Sequence, residues 1–524
     1  MKKYFYIVLL SILFIACNSK NKSEDISNKV DLPNILIAIS DDHSFPHTSA
    51  YGYEGVKTPN FDNIAKLGVL FNNAYVASPG CSPSRAAILT GQYPWQIEEA
   101  GTHASRFPAR LQVLPDIFEQ QAGYQSGFTG KGWGPGDWKG SGRKRNPAGT
   151  EYNDVLSEEE IEGISTIDYA ANFNEFLNEK PKGKPFFFWY GAHEPHRDYL
   201  KGIGEKSCKN PENVKVPAFM PDVPEIRSDM MDYAFEIEWF DKHLGHMIKR
   251  LKQSGDFENT IIIVTADNGM PFPRAKANCY DFGIHVPLAI YWPAKMKAGK
   301  ISTDLVSLID IAPTLLDILG IDQADYNYSG KSLDNILFGN EPNTSDTNHA
   351  IFSSRERHSY SRHDNLGYPQ RAIRVEDYLL IWNMKPDLWP AGAPQKYLKN
   401  AMPAGRQGEL EEMHLGYHDI DKCPSLDFLI ENWEDEAISK YFHLSVDKRP
   451  EIELFDVISD PACLNNLSAD KAYFEIKEHI FNTLKDYLKK TNDARVKGNG
   501  DIWETYPRLR GPMRKFPKSM GNDN

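Results

Sequence analysis

The chain has 524 residues, 41% of them apolar, and a formal net charge of −13. That is enough apolar material for one large core and a smaller companion, while the summed negative field works against general attraction to nucleic acid or to sulfated polymers. No Cys-x-x-Cys zinc spacing, glycine-rich phosphate loop or dinucleotide fingerprint occurs, so nicotinamide and ATP chemistry have no support, and any anionic ligand must meet a local basic patch.

The N-terminus opens Met1-Lys2-Lys3, continues in an apolar run from Tyr4 to Ala16 and reaches Cys17, which reads as an export signal. The run is too short to stay in a bilayer as a spanning helix. Phe14-Ile15-Ala16-Cys17 resembles a bacterial lipoprotein cleavage box, which makes residues 1–17 a signal and Cys17 a lipid-modified N-terminus; ordinary secretion is the alternative. Residues 18–31 are polar and read as a tether. The expectation is an exported protein, a lipoprotein of the outer membrane or cell surface or a periplasmic one, that meets the membrane only through its lipid. In an oxidising compartment Cys208, Cys279, Cys423 and Cys463 could form one or two disulfides.

Strand-like and helical runs alternate, which predicts an α/β core with a largely parallel sheet. Residues 34–40, 186–192 and 260–265 are nearly continuous apolar runs of strand length, as expected of strands buried on both faces. They end at Asp41-Asp42, at His193 and at Asp267-Asn268, and ligands in open α/β sheets bind beyond the carboxyl ends of strands. Between them lie Gly80-Cys81-Ser82-Pro83-Ser84-Arg85 and a loop, residues 130–150, that is rich in Gly and Trp and carries Lys131, Lys139, Arg143, Lys144 and Arg145. Ser228 is a candidate cap for a helix whose Ile237, Phe240, Leu244, Met247 and Leu251 form one apolar face. Residues 308–320 form a second helix that Gly320 ends. Past a turn-rich stretch at 339–348, the strand-like pieces 371–382 and 453–457 predict a smaller C-terminal sheet. The chain therefore divides into a catalytic domain over residues 32–350 and a C-terminal subdomain and tail over 351–524.

Asp41, Asp42, Asp267 and Asn268 offer only hard oxygen ligands from two strand ends, a set suited to calcium or magnesium rather than zinc. The bland alternative for such an Asp pair is a turn or helix cap.

Cys81-Ser82-Pro83-Ser84-Arg85 with Thr90-Gly91 resembles the signature of the formylglycine-dependent (type I) sulfatases. Asp41-Asp42, Lys57-Thr58-Pro59-Asn60, Gly130-Lys131, His193, Asp267-Asn268-Gly269 and Glu453-Leu454-Phe455-Asp456 extend the resemblance over nearly the whole mature chain, in order. Residues 188–197 and 267–273 resemble the heparan N-sulfatase, or sulfamidase, branch. The fold so implied is the alkaline-phosphatase-like sulfatase sandwich, with a smaller C-terminal domain containing a four-stranded antiparallel sheet.

The resemblance implies a mechanism. A maturation enzyme converts Cys81 to formylglycine (3-oxoalanine), whose hydrate attacks sulfur, and the second hydroxyl of the hydrate then expels sulfate. Asp41, Asp42, Cys81, Asp267 and Asn268 become the ligands of Ca2+ or Mg2+, Arg85 stabilises the hydrate, Lys131 and Lys276 bind sulfate, and His193 protonates the leaving group. His196 and His103 are candidate substrate groups.

One departure stands out. Many relatives carry histidine two residues after the lysine, and this chain carries Trp133, which offers a flat face for stacking on a sugar and leaves His103 or His43 as candidate assistants to the formylglycine. The reading is a sulfatase acting on saccharides of a sulfated polysaccharide, an algal O-sulfated polymer such as ulvan being favoured because of Trp133. The alternatives are an N-sulfoglucosamine sulfohydrolase, a phosphodiesterase or phosphonate hydrolase of the same superfold, and a surface lipoprotein that binds sulfated glycan without turnover.

Overall fold

Four aromatic residues in succession, Phe186-Phe187-Phe188-Trp189, lie at the centre of the molecule, and their alternation shows how it is layered. In this computed structural model, which describes residues 32–296, 299–339, 350–362, 366–392 and 417–509, they belong to a fully buried strand. Successive side chains of a strand point to opposite faces. Phe186 and Phe188 accordingly meet Phe173 and Phe176 of the Tyr169–Glu179 helix, whereas Phe187 meets Phe118 of the Leu114–Ala122 helix on the other side. Each such ring, fully buried, contributes roughly 1.5–3 kcal/mol.

The strands in chain order are β1 (Asn34–Ser40), β2 (Val69–Tyr75), β3 (Gln125–Gly130), β4 (Thr150–Glu151), β5 (Phe186–Gly191), β6 (Thr260–Ala266), β7 (His285–Tyr291), β8 (Lys300–Ser302), β9 (Val306–Ser307), β10 (Ala350–Arg355), β11 (Gln370–Val375), β12 (Tyr378–Asn383) and β13 (Ile452–Asp456). Nine of them form one sheet in the order β4-β3-β5-β1-β6-β7-β2-β8, with β9 beside β2. Strands β4, β3, β5, β1 and β6 run parallel, and β7 is antiparallel to both its neighbours. The predicted parallel core is therefore present, with one reversed strand that the apolar pattern did not reveal.

Strands β10 to β13 form a separate antiparallel sheet. The Phe474–Lys490 helix covers it, with Tyr487 stacked on Phe352 at 3.9 Å and Phe481 edge-on to Trp382 at 5.2 Å. Residues from Pro33 onward form one compact unit, and the backbone N–H of Ser354 on β10 donates to the Ala77 carbonyl at 2.9 Å, joining the two sheets.

Three expectations are corrected or fall outside this description. The long helix runs Pro224–Ser254 rather than starting at Ser228, because Pro224 occupies the first helical position, where its missing N–H costs nothing. Cys81, Cys208, Cys279, Cys423 and Cys463 are all free thiols, so no disulfide forms among the described residues; Cys423 instead caps a helix, its sulfur accepting from the Leu426 N–H at 3.4 Å. Cys17, the signal over residues 1–17 and the tether over 18–31 lie outside the described residues.

Candidate active site

Four adjacent parallel strands release the chain at one edge of the sheet, and each delivers a polar residue there. Lys131 follows β3, His193 follows β5, Asp41 and Asp42 follow β1, and Asp267 and Asn268 follow β6. Backbone hydrogen bonds from Lys131 N–H to Gly191 O (2.6 Å), from Ala192 N–H to Ile39 O (3.0 Å) and from Asp267 N–H to Ser40 O (3.1 Å) hold these ends in register. Gly130 makes the turn into Lys131 at φ 72°, and a Cβ there would lie 2.1 Å from the Gly191 carbonyl, so only glycine fits.

Ligand atoms of Asp41, Cys81 and Asp267 lie within 4.8 Å of one another, all buried. The Cys81 thiol is 3.3 Å from Asp41 Oδ1 and 3.8 Å from Asp42 Oδ1. Asn268 donates through Nδ2 to Asp42 Oδ1 at 2.7 Å, which leaves its Oδ1 buried with no hydrogen-bond partner. An orphaned carboxamide oxygen beside three buried carboxylates is the donor set of a hard divalent cation, so these residues fit calcium or magnesium. Burial pushes the Asp42 and Asp267 carboxyls up to about 6, against the pull of Lys276 on the first and of Arg85 on the second, while for Asp41 the charges of Lys131 and Arg85 outweigh burial and hold it well below the usual carboxylate range.

Cys81 begins the Cys81–Thr90 helix, every residue of which is buried. The helix closes on Gly91 at φ 65°, where a Cβ would meet Tyr328 at 2.4 Å and Ala312 at 2.9 Å. One turn after Cys81, Arg85 donates through Nε to Asp267 Oδ2 at 2.7 Å and through Nη1 to the Lys131 carbonyl at 2.5 Å. Its Nη2 has no hydrogen-bond partner and lies 3.9 Å from Asp41 Oδ1. Burial and the Asp41 carboxylate raise the Cys81 thiol well above its ordinary value, so the unmodified residue is a protonated, weak nucleophile at neutral pH.

Two cations complete the cluster. Lys131 Nζ lies 2.5 Å from Asp41 Oδ2, and Lys276 Nζ lies 2.6 Å from Asp42 Oδ2 and 2.9 Å from Asp421 Oδ2. The His193 ring is reached by solvent, and the protein around it together with the Lys131 charge lowers it to about 4. His196 Nε2 is 3.9 Å from Asp42 Oδ2. The structure thus brings together Asp41, Asp42, Cys81, Arg85, Lys131, His193, His196, Asp267, Asn268 and Lys276, which the sequence places far apart.

Other predicted residues are placed differently. Trp133 is only 2% exposed, donates through its indole N–H to the Ser82 carbonyl at 3.0 Å and packs edge-on against Phe107. It props the start of the Cys81 helix and presents no free face to a sugar, which corrects the stacking expectation. His43 is tied to Ser40 Oγ at 3.1 Å and to the His47 carbonyl at 2.9 Å, so it is structural. Arg143 and Arg145 are paired with Asp116 and Glu119 rather than open to an anion.

His103 packs against His358 with ring centroids 4.5 Å apart; Nδ1 of the first and Nε2 of the second have no hydrogen-bond partner, and His358 Nδ1 lies 3.6 Å from Asp419 Oδ1. His358 stands 3.5 Å from the position a Cβ on Gly80 would take, directly beside the Cys81 turn. Neither His358 nor Asp421 was legible in the sequence. Both come from C-terminal loops whose local pattern carries no signal, and only the tertiary fold brings them to the site.

The sequence profile of the sulfatase family matches residues 33–321, and that of the C-terminal region of N-sulphoglucosamine sulphohydrolase matches residues 275–391. Human N-sulphoglucosamine sulphohydrolase is 25% identical over 512 residues, covering 88% of this chain and 91% of that protein. An ulvan-active sulfatase of Formosa agariphila is 25% identical over 519 residues, covering 90% of this chain and 78% of the other. Among solved structures, a protein in complex with its substrate D-glucosamine-2-N,6-O-disulfate superposes with a TM-score of 0.63 at 20% identity, over 88% of this chain and 98% of the other, which identifies the fold as the alkaline-phosphatase-like sulfatase sandwich.

Proposed function

Because this chain belongs to the sulfatase family and is a sulfuric ester hydrolase acting on sulfated saccharides, we propose that it removes sulfate at the Cys81 cluster after Cys81 is converted to formylglycine by a separate maturation enzyme. The observation that carries this reading is the buried group of Asp41, Cys81 and Asp267 flanked by Lys131 and Lys276. Formylglycine supplies a hydrated aldehyde as nucleophile, which removes the need to ionise a thiol that the site holds protonated.

Asp41, Asp42, Asp267 and Asn268 would hold a divalent cation, calcium or magnesium, whose charge would offset that of the sulfate and polarise the sulfur. Arg85 fixes residue 81 against the cluster and keeps Nη2 available for an oxygen there. Lys131 and Lys276 bind sulfate oxygens with the donors that Asp41 and Asp42 leave free. A ring nitrogen of His193 gives its proton to the departing sugar atom. Sulfate bound between the lysines adds the negative charge that moves His193 back up toward neutrality, so the acid is charged when substrate is present. His196 and His103 line the approach.

For the sugar, burial of Trp133 removes the ground for favouring an algal polymer. The match of residues 275–391, which include Lys276, to the C-terminal region of N-sulphoglucosamine sulphohydrolase supports N-sulfated glucosamine of a heparan-type chain. A second reading, sulfate esters of ulvan, rests on the similarity to the Formosa protein over 90% of this chain. A lipoprotein anchored through Cys17, outside or in the periplasm, suits either polymer.

Free sulfate released by matured protein, with Cys81→Ala as control, is measured on N-sulfoglucosamine and on lyase-digested ulvan oligosaccharides in parallel. Release from the amine alone supports the first reading, and release from ulvan alone supports the second. No release from either, with the aldehyde confirmed by mass, rejects both substrates and turns the search to other sulfated glycans.

A further inference from the structure

Lys276 is shared between two carboxylates of different character. Asp42 is wholly buried within the candidate metal cluster, whereas the Asp421 side chain keeps 27% of its surface exposed. Asp421 reaches the site from beyond both family matches, which end at residues 321 and 391. Among the described residues it is hydrogen-bonded only by Lys276, through Oδ2, which leaves Oδ1 free.

A carboxylate has no evident place in a pocket for sulfate, since two anions in contact repel. The carboxylates of the metal cluster face Lys131, Lys276 and Arg85 and form a set that fits a divalent cation; Asp421 stands outside that set, hydrogen-bonded by Lys276 and facing the imidazoles of His196 and His358. An ammonium has three donors. Lys276 uses two on Asp42 and Asp421 and keeps one for the sulfate. Tetrahedral donors place a sulfate oxygen and the Asp421 carboxylate about 4.6 Å apart, a gap with room for one sugar hydroxyl or amine that donates its proton to the carboxylate at about 2.8 Å.

We infer that Asp421 is a specificity-determining residue that recognises a hydroxyl or amine on the carbon next to the one bearing the sulfate, so that the Lys276–Asp421 pair reads the two neighbouring substituents together. The inference rests on the sulfatase reading with Lys276 as sulfate ligand. The preferred substrate is then a sugar whose sulfate has a free vicinal donor, and blocking that donor leaves Asp421 Oδ1 facing the sulfate without one.

The test is a binding cycle on the full-length Cys81→Ala protein by calorimetry, which needs neither maturation nor turnover. The probes are the methyl glycoside of N-sulfoglucosamine, whose only free vicinal hydroxyl is on C3, and its 3-O-methyl ether, and lyase-digested ulvan oligosaccharides before and after O-methylation. Asp421→Asn is expected to weaken binding of the free-hydroxyl probe by about 10- to 100-fold. Methylation weakens the parent by a similar factor, and the two changes together cost no more than either alone, while Asp421→Glu recovers part of the loss.

Additive effects, or unchanged or tighter binding by Asp421→Asn, overturn the inference and leave the sulfatase reading standing. Failure of the parent to bind any of the four probes overturns the inference together with both substrate readings. The melting temperature of each variant checks its fold, and Asp421→Glu supplies the same cycle if Asp421→Asn is unfolded.

Discussion

Arg85 Nε donates to Asp267 Oδ2 at 2.7 Å, and neither side chain has any exposed surface. This contact ties the helix that carries Cys81 to the end of β6, which carries Asp267 and Asn268, so the candidate nucleophile and half of the candidate metal ligands are positioned by one buried ion pair. Removing the guanidinium leaves a buried carboxylate without its partner, which costs more than the pair contributes.

Arg85→Met should lower unfolding free energy by about 3–5 kcal/mol in urea titrations. In protein that remains folded it should also lower the rate of sulfate release by about 100-fold or more, as expected when one donor aimed at a reacting oxygen is lost. Arg85→Lys keeps the charge without the forked geometry and should recover part of the stability and little of the rate.

Three carboxylates, Asp41, Asp42 and Asp267, are buried side by side, and a divalent cation binding there relieves their repulsion. Added calcium or magnesium should therefore raise the melting temperature, by about 2.7 kcal/mol of stability at a hundredfold excess over the dissociation constant. Exhaustive chelation should abolish sulfate release. Asp267→Asn should abolish the stabilisation by metal, and a variant that still responds fully to calcium removes Asp267 from the ligand set.

Trp133 is a structural residue in this fold. Trp133→Ala should cost about 3–5 kcal/mol of stability, and Trp133→Phe about 0.5–1.5 kcal/mol through loss of the indole bond to the Ser82 carbonyl. In the folded Phe variant KM should be unchanged. A rise in KM without loss of stability would instead restore a sugar-stacking role.

His243 is buried with neither ring nitrogen hydrogen-bonded, and burial lowers it to about 4 against the pull of Asp168, whose Oδ1 is 3.7 Å from Nδ1. The unfolded chain takes up this proton near the ordinary pKa of 6.5 and the folded chain only near 4, so the unfolded state binds more protons within that window. Stability from this group is fully present above pH 6.5 and is lost as pH falls toward 4, by about 1.4 kcal/mol per pH unit. His243→Phe should flatten the urea midpoint against pH between 6.5 and 4, and an unchanged slope would assign the acid sensitivity to other groups.

Much of the candidate site was legible because each part sits at a recognisable local boundary. Asp41-Asp42 and Asp267-Asn268 end apolar runs that can only be buried strands, and Cys81 to Gly91 carries its own spacing. Trp133 was misread because an indole looks the same in sequence whether its face meets a sugar or Phe107, and only packing separates the two. Asp421 and His358 gave no signal, since neither belongs to a periodic element and each matters through a partner more than seventy residues away in the chain, Lys276 for one and the Gly80 turn and His103 for the other.

The sequence by itself determined the parallel strands, the chemistry available at their ends and the family to which the chain belongs, because strand burial, strand ends and the Cys81 segment are local patterns. The tertiary structure alone decided which charges share a site. Whether Lys276 faces Asp42, whether Arg143 is spent on Asp116 and whether Trp133 is open or covered depend on distances between segments far apart in the chain, and electrostatic energy follows distance and burial rather than order in sequence.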